Sequence, residues 1–125
     1  MWKLVNGRLI HMTDVTRIKF RTNISQSLLE SLKAMATENE THVNYLIETG
    51  LAALLIDGTI TFDKNSRPTD RIQFKTTYDK ELLDKVKDFA REHDLFINDV
   101  IEYSIRLIDL DNTKDMSYRY RVEKG

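Results

Sequence analysis

The chain has 125 residues, 41% of them hydrophobic and 31% charged, which describes a globular protein rather than a disordered one. Its formal net charge of −1 argues against a polybasic binder, so any nucleic-acid contact has to come from locally placed basic residues. It contains no cysteine, which excludes disulfides, cysteine-type zinc sites and thiol catalysis.

The first segment, 1–15, carries Asn6-Gly7 between the apolar pairs Leu4-Val5 and Leu9-Ile10, the signal of a short hairpin or arm. Strict alternation comes next, with Ile18, Phe20, Thr22 and Ile24 on one side and Lys19, Arg21 and Asn23 on the other. A period of two predicts a strand with one buried face. Ser25 is a helix-capping residue, and Leu28, Leu29, Leu32, Met35 and Ala36 succeed it at helical spacing. After a polar break at 37–40, a second helix is predicted to carry Val43, Leu46, Ile47, Leu51 and Leu54. These elements make a first unit over 16–56.

The linker, 57–69, opens on Asp57-Gly58, a helix stop. Its Thr59-Ile60-Thr61-Phe62 reads either as a short strand packed beside the N-terminal hairpin or as a flexible connection. Ser66-Arg67-Pro68 punctuates the join to a second unit. Over 70–110 the whole pattern returns. The new strand has Ile72, Phe74, Thr76 and Tyr78 inside and Gln73, Lys75 and Thr77 outside. Asp79 caps, then Leu82, Leu83, Val86, Phe89 and Ala90 form the helical stripe, and Ile97, Val100, Ile101, Ile105 and Ile108 the second. The tail, 111–125, interleaves aromatics and bases at Tyr118-Arg119-Tyr120-Arg121, either a contact to an acidic backbone or a frayed end.

The two units superpose without a gap at an offset of about 54 positions, the mark of an internal duplication. Arg17-Ile18-Lys19-Phe20-Arg21-Thr22 matches Arg71-Ile72-Gln73-Phe74-Lys75-Thr76, Asn44 matches Asn98, and Ile47-Glu48 matches Ile101-Glu102. A lone strand with two helices leaves its own strand edge unsatisfied. Two copies solve this by pairing their strands antiparallel, with four helices covering one face and burying Ile18, Phe20, Ile72 and Phe74.

This grammar resembles the ribbon-helix-helix family of bacterial, phage and plasmid DNA-binding regulators, in a tandem single-chain form. The resemblance implies a mainly α fold with short β, an intramolecular pseudo-dimer with a two-stranded antiparallel ribbon and four core helices. It implies that the ribbon enters the major groove of double-stranded DNA, with Lys19, Arg21, Asn23, Gln73, Lys75 and Thr77 reading base edges. It also implies phosphate contacts at the N-terminus of each second helix, at His42, Val43 and Asn44 and at Phe96, Ile97 and Asn98. Three features depart from the family pattern: Glu40 and Asp94 replace the usual turn glycine, Thr22 and Thr76 fill inward positions that are normally aliphatic, and the second strand is less basic than the first. The plainer reading of the strand cations is solubility or edge protection, and Asn44 and Asn98 would serve equally as helix caps.

The function expected from the resemblance is sequence-specific transcriptional regulation, as a repressor in a prokaryote, phage or mobile element. The alternatives are a DNA-organising factor for segregation or replication and an antitoxin-type protein-binding module. The sequence leaves open the self-association of pseudo-dimers on DNA. His11, His42 and His93 lack metal-ligand spacing. The stretch 109–120 lacks the glycine and the bidentate glutamate of a calcium loop. No nucleophile motif or Gly-rich phosphate loop occurs, so neither an enzyme, a cofactor nor a small-molecule ligand is expected. No apolar run reaches the roughly 18 residues of a membrane span. The first residues lack a signal peptide's apolar core, so a cytoplasmic, nucleoid-associated location is the expectation.

Overall fold

The computed structural model describes the backbone of residues 2–5 and 8–11, and residues 17–108 and 110 in full. Strands β1 (Trp2–Val5) and β2 (Arg8–His11) pair antiparallel, with Val5 opposite Arg8 at the closed end. The side chains of 1–16 and the tail 111–125 lie outside the described residues, and so does any packing of the linker on this hairpin.

The rest of the chain runs strand, helix, helix, twice. Strand β3 (Arg17–Ser25) leads into α1 (Gln26–Glu38) and α2 (Val43–Asp57), and β4 (Arg71–Asp79) into α3 (Lys80–Glu92) and α4 (Ile97–Ser104). The strands β3 and β4 form a two-stranded antiparallel ribbon of their own. Its register is symmetric about Arg21 opposite Lys75, which are equivalent positions of the duplication. The two halves interlock, because α2 packs against β4 and α4 against β3.

Helix starts obey the capping chemistry. The Ser25 hydroxyl accepts from Leu28 N and the Asp79 carboxylate from Glu81 N. A further acceptor comes from the linker. Asp70 receives Ser27 N at 3.0 Å and the Ser27 hydroxyl at 2.5 Å, and its carbonyl receives Gln26 N. Those bonds from Ser27 pull the Asp70 carboxyl down to about 2.

The turns between helices resolve the missing glycine. Glu40 and Asp94 both adopt left-handed backbone, at φ 53° and 55°. Thr41 N reaches back to Ala36 O, and Leu95 N to Ala90 O, each at 2.9 Å. This is the Schellman closure in both copies, made by residues for which positive φ is strained. Where α2 ends, Gly58 takes the same left-handed role at φ 77°.

The core is built on Ile24, Leu32, Leu46, Ile47, Leu51, Leu54, Tyr78, Leu83, Val86, Val100 and Ile101. On the ribbon's inner face each phenylalanine opposes a threonine, Phe20 against Thr76 and Thr22 against Phe74. Each threonine thus sets a small side chain across the ribbon from a large ring. The expected burial of Ile72 is corrected: it is 39% exposed, and Ile18, Phe20 and Phe74 are half-buried. Ile24 and Tyr78 carry the ribbon's full burial instead, because the strand ends that run into helices lie under them.

At the centre α2 and α4 cross at the equivalent residues Gly50 and Ser104. A Cβ on Gly50 would fall inside contact distance of the Ser104 carbonyl oxygen and 3.0 Å from its carbon. Here the glycine is required by close backbone approach. The second copy diverges beyond this point, since α4 stops at Ser104 and tightens into a 3-10 turn over Ile105–Leu107 while α2 runs on to Asp57. The linker strand reading is also corrected. Residues 58–63 form no strand: Ile60 packs on the core and the Thr61 hydroxyl meets the Tyr103 hydroxyl at 3.4 Å. No helix among the described residues is long and apolar enough to cross a membrane.

Candidate functional site

The alternation of β3 and β4 puts six polar side chains on the face turned away from the helices. Directly opposite one another stand Lys19 and Thr77, Arg21 and Lys75, Asn23 and Gln73. Five of them are exposed, and Thr77 is half-buried. Thr77 is held by Arg17, whose Nε donates to its hydroxyl at 3.2 Å and whose Nη2 donates to its carbonyl at 2.7 Å. Lys19, Arg21 and Lys75 make this face uniformly cationic on a chain whose net charge is −1. Like charges directly opposite in a ribbon are destabilising, so the Arg21–Lys75 pair weakens the fold that displays it.

The second predicted group is divided between two helix starts. His42 precedes α2 as an exposed cap without a side-chain cap bond, and its ring meets Tyr45 edge-on at 5.5 Å. The Asn44 side chain turns to the ribbon and donates to Thr77 O at 3.2 Å, tying the α2 start to β4. At α4, Phe96 is 60% exposed, and Ile97 and Asn98 are half-buried. The two starts differ in charge. Asp99 lies in the first turn of α4 and accepts Phe96 N at 3.0 Å, whereas Tyr45 occupies its place in α2. Arg67 from the linker neutralises Asp99 through Nη2 at 2.8 Å and lies over the Phe96 ring at 4.6 Å.

Beneath the ribbon ends are two equivalent ion pairs that join strand start to second helix. Arg17 Nη2 contacts Glu48 Oε1, and Arg71 Nη2 meets Glu102 Oε1 at 2.5 Å. Each carboxylate also takes a backbone N–H from the other copy's strand end. Glu102 accepts Ser25 N at 2.8 Å, and Glu48 is bonded by the Asp79 backbone. Burial pushes the Glu48 carboxyl above its ordinary range, outweighing the bonds from Arg17. Burial acts the same way on Asp99, but there the bonds from Arg67 and Arg71 win and hold it below the usual carboxylate range.

Arg17, Arg71, Glu48 and Glu102 are not singled out by pattern reading. Their signal is present all the same: they are identical in both copies, and each glutamate directly follows a core isoleucine, Ile47 or Ile101. Arg67, Asp70 and Asp99 have no such signal, since Thr13, Thr16 and Tyr45 stand at the equivalent positions. No group of His, Asp or Glu able to hold a metal ion occurs among the described residues. Comparison of the chain with family models, with curated proteins and with solved structures finds no match.

Proposed function

We propose that the chain is a ribbon-helix-helix pseudo-dimer, a class of protein that binds double-stranded DNA through a two-stranded ribbon in the major groove. Within that class the reading is a sequence-specific transcriptional regulator, a repressor acting by occupying promoter DNA without chemistry of its own. The observation that carries it is the register. Lys19/Thr77, Arg21/Lys75 and Asn23/Gln73 form three cross-strand pairs on one solvent face, with two cations opposed at the centre of pseudo-symmetry. A cost accepted in the free protein is recovered when both cations face a polyanion.

The residue types suit base edges: Arg21, Lys75 and Lys19 for guanine, Asn23 and Gln73 for adenine, and Thr77 for a thymine methyl. Phosphates on either side would meet the amides at the starts of α2 and α4, around His42, Val43 and Asn44 and around Phe96, Ile97 and Asn98. Asp99 makes the second of these the weaker anchor, and Arg67 offsets its charge. The half-sites are therefore unequal in both base reading and phosphate anchoring, which suits an operator that is not palindromic.

The test is fluorescence anisotropy on duplexes selected from a random pool, with Arg21 and Lys75 both replaced by alanine. A bidentate base contact is worth roughly 1–3 kcal/mol, so affinity should fall by about tenfold or more. Stability should move the other way, rising by about 0.2–1 kcal/mol as the like-charge pair is removed. Unchanged affinity in a folded variant would refute the ribbon-in-groove reading.

A further inference from the structure

The groove between the second half of α2 and the outer side of α3 is unlike anything the proposed DNA contact uses. It encloses about 870 Å³ over a floor of Leu55, Ile56, Leu82 and Phe89. Ile56 is 87% exposed, the most open large apolar side chain among the described residues. Around this floor stand Asp79, Glu81, Asp88 and Glu92, with Lys85 the cation among them. The duplication supplies an internal control. At the equivalent positions α1 and its cap carry Ser25, Ser27, Ala34 and Glu38, so three of the four acids exist on one side only.

We propose that this groove receives the chain's own C-terminal segment, residues 116–122. That segment reads Met116-Ser117-Tyr118-Arg119-Tyr120-Arg121-Val122, apolar or aromatic at alternate positions, with two arginines and no acid. In extended form Tyr118, Tyr120 and Val122 share one face, fit for an apolar floor. The arginine stems are long enough to lie along apolar surface and carry their charge to an acidic rim. The chain also ends its described course beside the right helix. Ile108 Cγ1 is 3.3 Å from where a Cβ on Gly50 would lie, and Leu55 and Ile56 are one to two turns further along the same α2. Six residues from Leu110 to Met116 span up to about 20 Å. This docking is independent of DNA binding.

The absence of native cysteine makes the test direct. Tyr120→Cys is combined in the full chain with Lys85→Cys in the groove, or with Ser31→Cys at the equivalent position on α1. Mild oxidation is monitored on non-reducing gels and by intact mass. Docking predicts an intrachain disulfide to position 85 about tenfold faster than to position 31, through a raised effective concentration. Adding Arg119→Glu and Arg121→Glu should slow the reaction at 85 roughly fivefold. Equal rates at the two positions, indifference to charge reversal, or disulfides formed only between chains would each overturn the proposal. The last would assign the groove to a second copy instead.

Discussion

Replacing Arg71 by methionine removes one side chain that holds two buried carboxylates. Arg71 Nη2 lies 2.8 Å from Asp99 Oδ1 and 2.5 Å from Glu102 Oε1, and its Nε donates to Glu102 Oε2 at 3.2 Å. The Asp99 and Glu102 side chains are 0% and 4% exposed. Without Arg71, Asp99 keeps Arg67 and Phe96 N, but among the described residues Glu102 keeps only the Ser25 N–H. Stranding a buried charge costs about 3–5 kcal/mol, against a total stability of about 5–15 kcal/mol for a small domain. Urea unfolding should therefore show a midpoint lowered by about a fifth or more at unchanged slope. The double variant Arg71→Met/Glu102→Met removes the stranded charge and should be more stable than Arg71→Met alone, a coupling that a double-mutant cycle reads directly. Additive single effects, or an Arg71→Met within about 0.5 kcal/mol of the parent, would refute the reasoning. The equivalent Arg17→Met should cost less, because Glu48 is already biased toward its neutral form by burial and can protonate when its partner is lost.

Gly50→Ala should lower stability in urea by about 1–3 kcal/mol, although alanine favours helix by about 1 kcal/mol, because the new Cβ meets backbone at Ser104 rather than a movable side chain. Glu40→Gly should raise the melting temperature by about 2–4 °C by relieving left-handed strain, and Asp94→Gly by less, since aspartate tolerates that region better and Asp94 also meets Lys64 at 3.1 Å. On acidification, Asp70 and Asp99 have folded values below their ordinary one, so their stabilisation is complete above pH 3.8 and is lost as pH falls toward about 2, where Asp70 titrates. Glu48 acts with the opposite sign, gaining its proton earlier in the folded chain, so Asp70→Asn should flatten the acid limb of a midpoint-against-pH curve and Glu48→Gln should steepen it.

The duplication made most of the fold legible, because each alternating strand and each helical stripe was stated twice. The caps Ser25 and Asp79, the stop at Gly58 and the outward set on the ribbon all come from local chemistry that the sequence displays. What stayed hidden was non-local. Ile72 alternates as regularly as Ile24, yet only position within the ribbon decides that Ile24 is covered and Ile72 is 39% exposed. The linker's Thr59-Ile60-Thr61-Phe62 has strand-like residues, yet it pairs with neither ribbon strand and instead lays Ile60 on the core. Arg17 and Arg71 look like two more strand cations, and only the fold shows them turned inward to glutamates 31 positions on. Asp70, which caps a helix 43 positions before it, leaves no local trace at all.

The pairing of β3 with β4 inside one polypeptide also sets how the protein responds to dilution. A ribbon assembled from two separate chains dissolves as its concentration drops, so that the competent species falls with the square of the total. Here the strands are joined by a linker that is itself anchored, through Arg67 at one half and Asp70 at the other. Assembly of the ribbon is then a unimolecular event with the same midpoint at any concentration, and a single molecule in a cell carries a complete one.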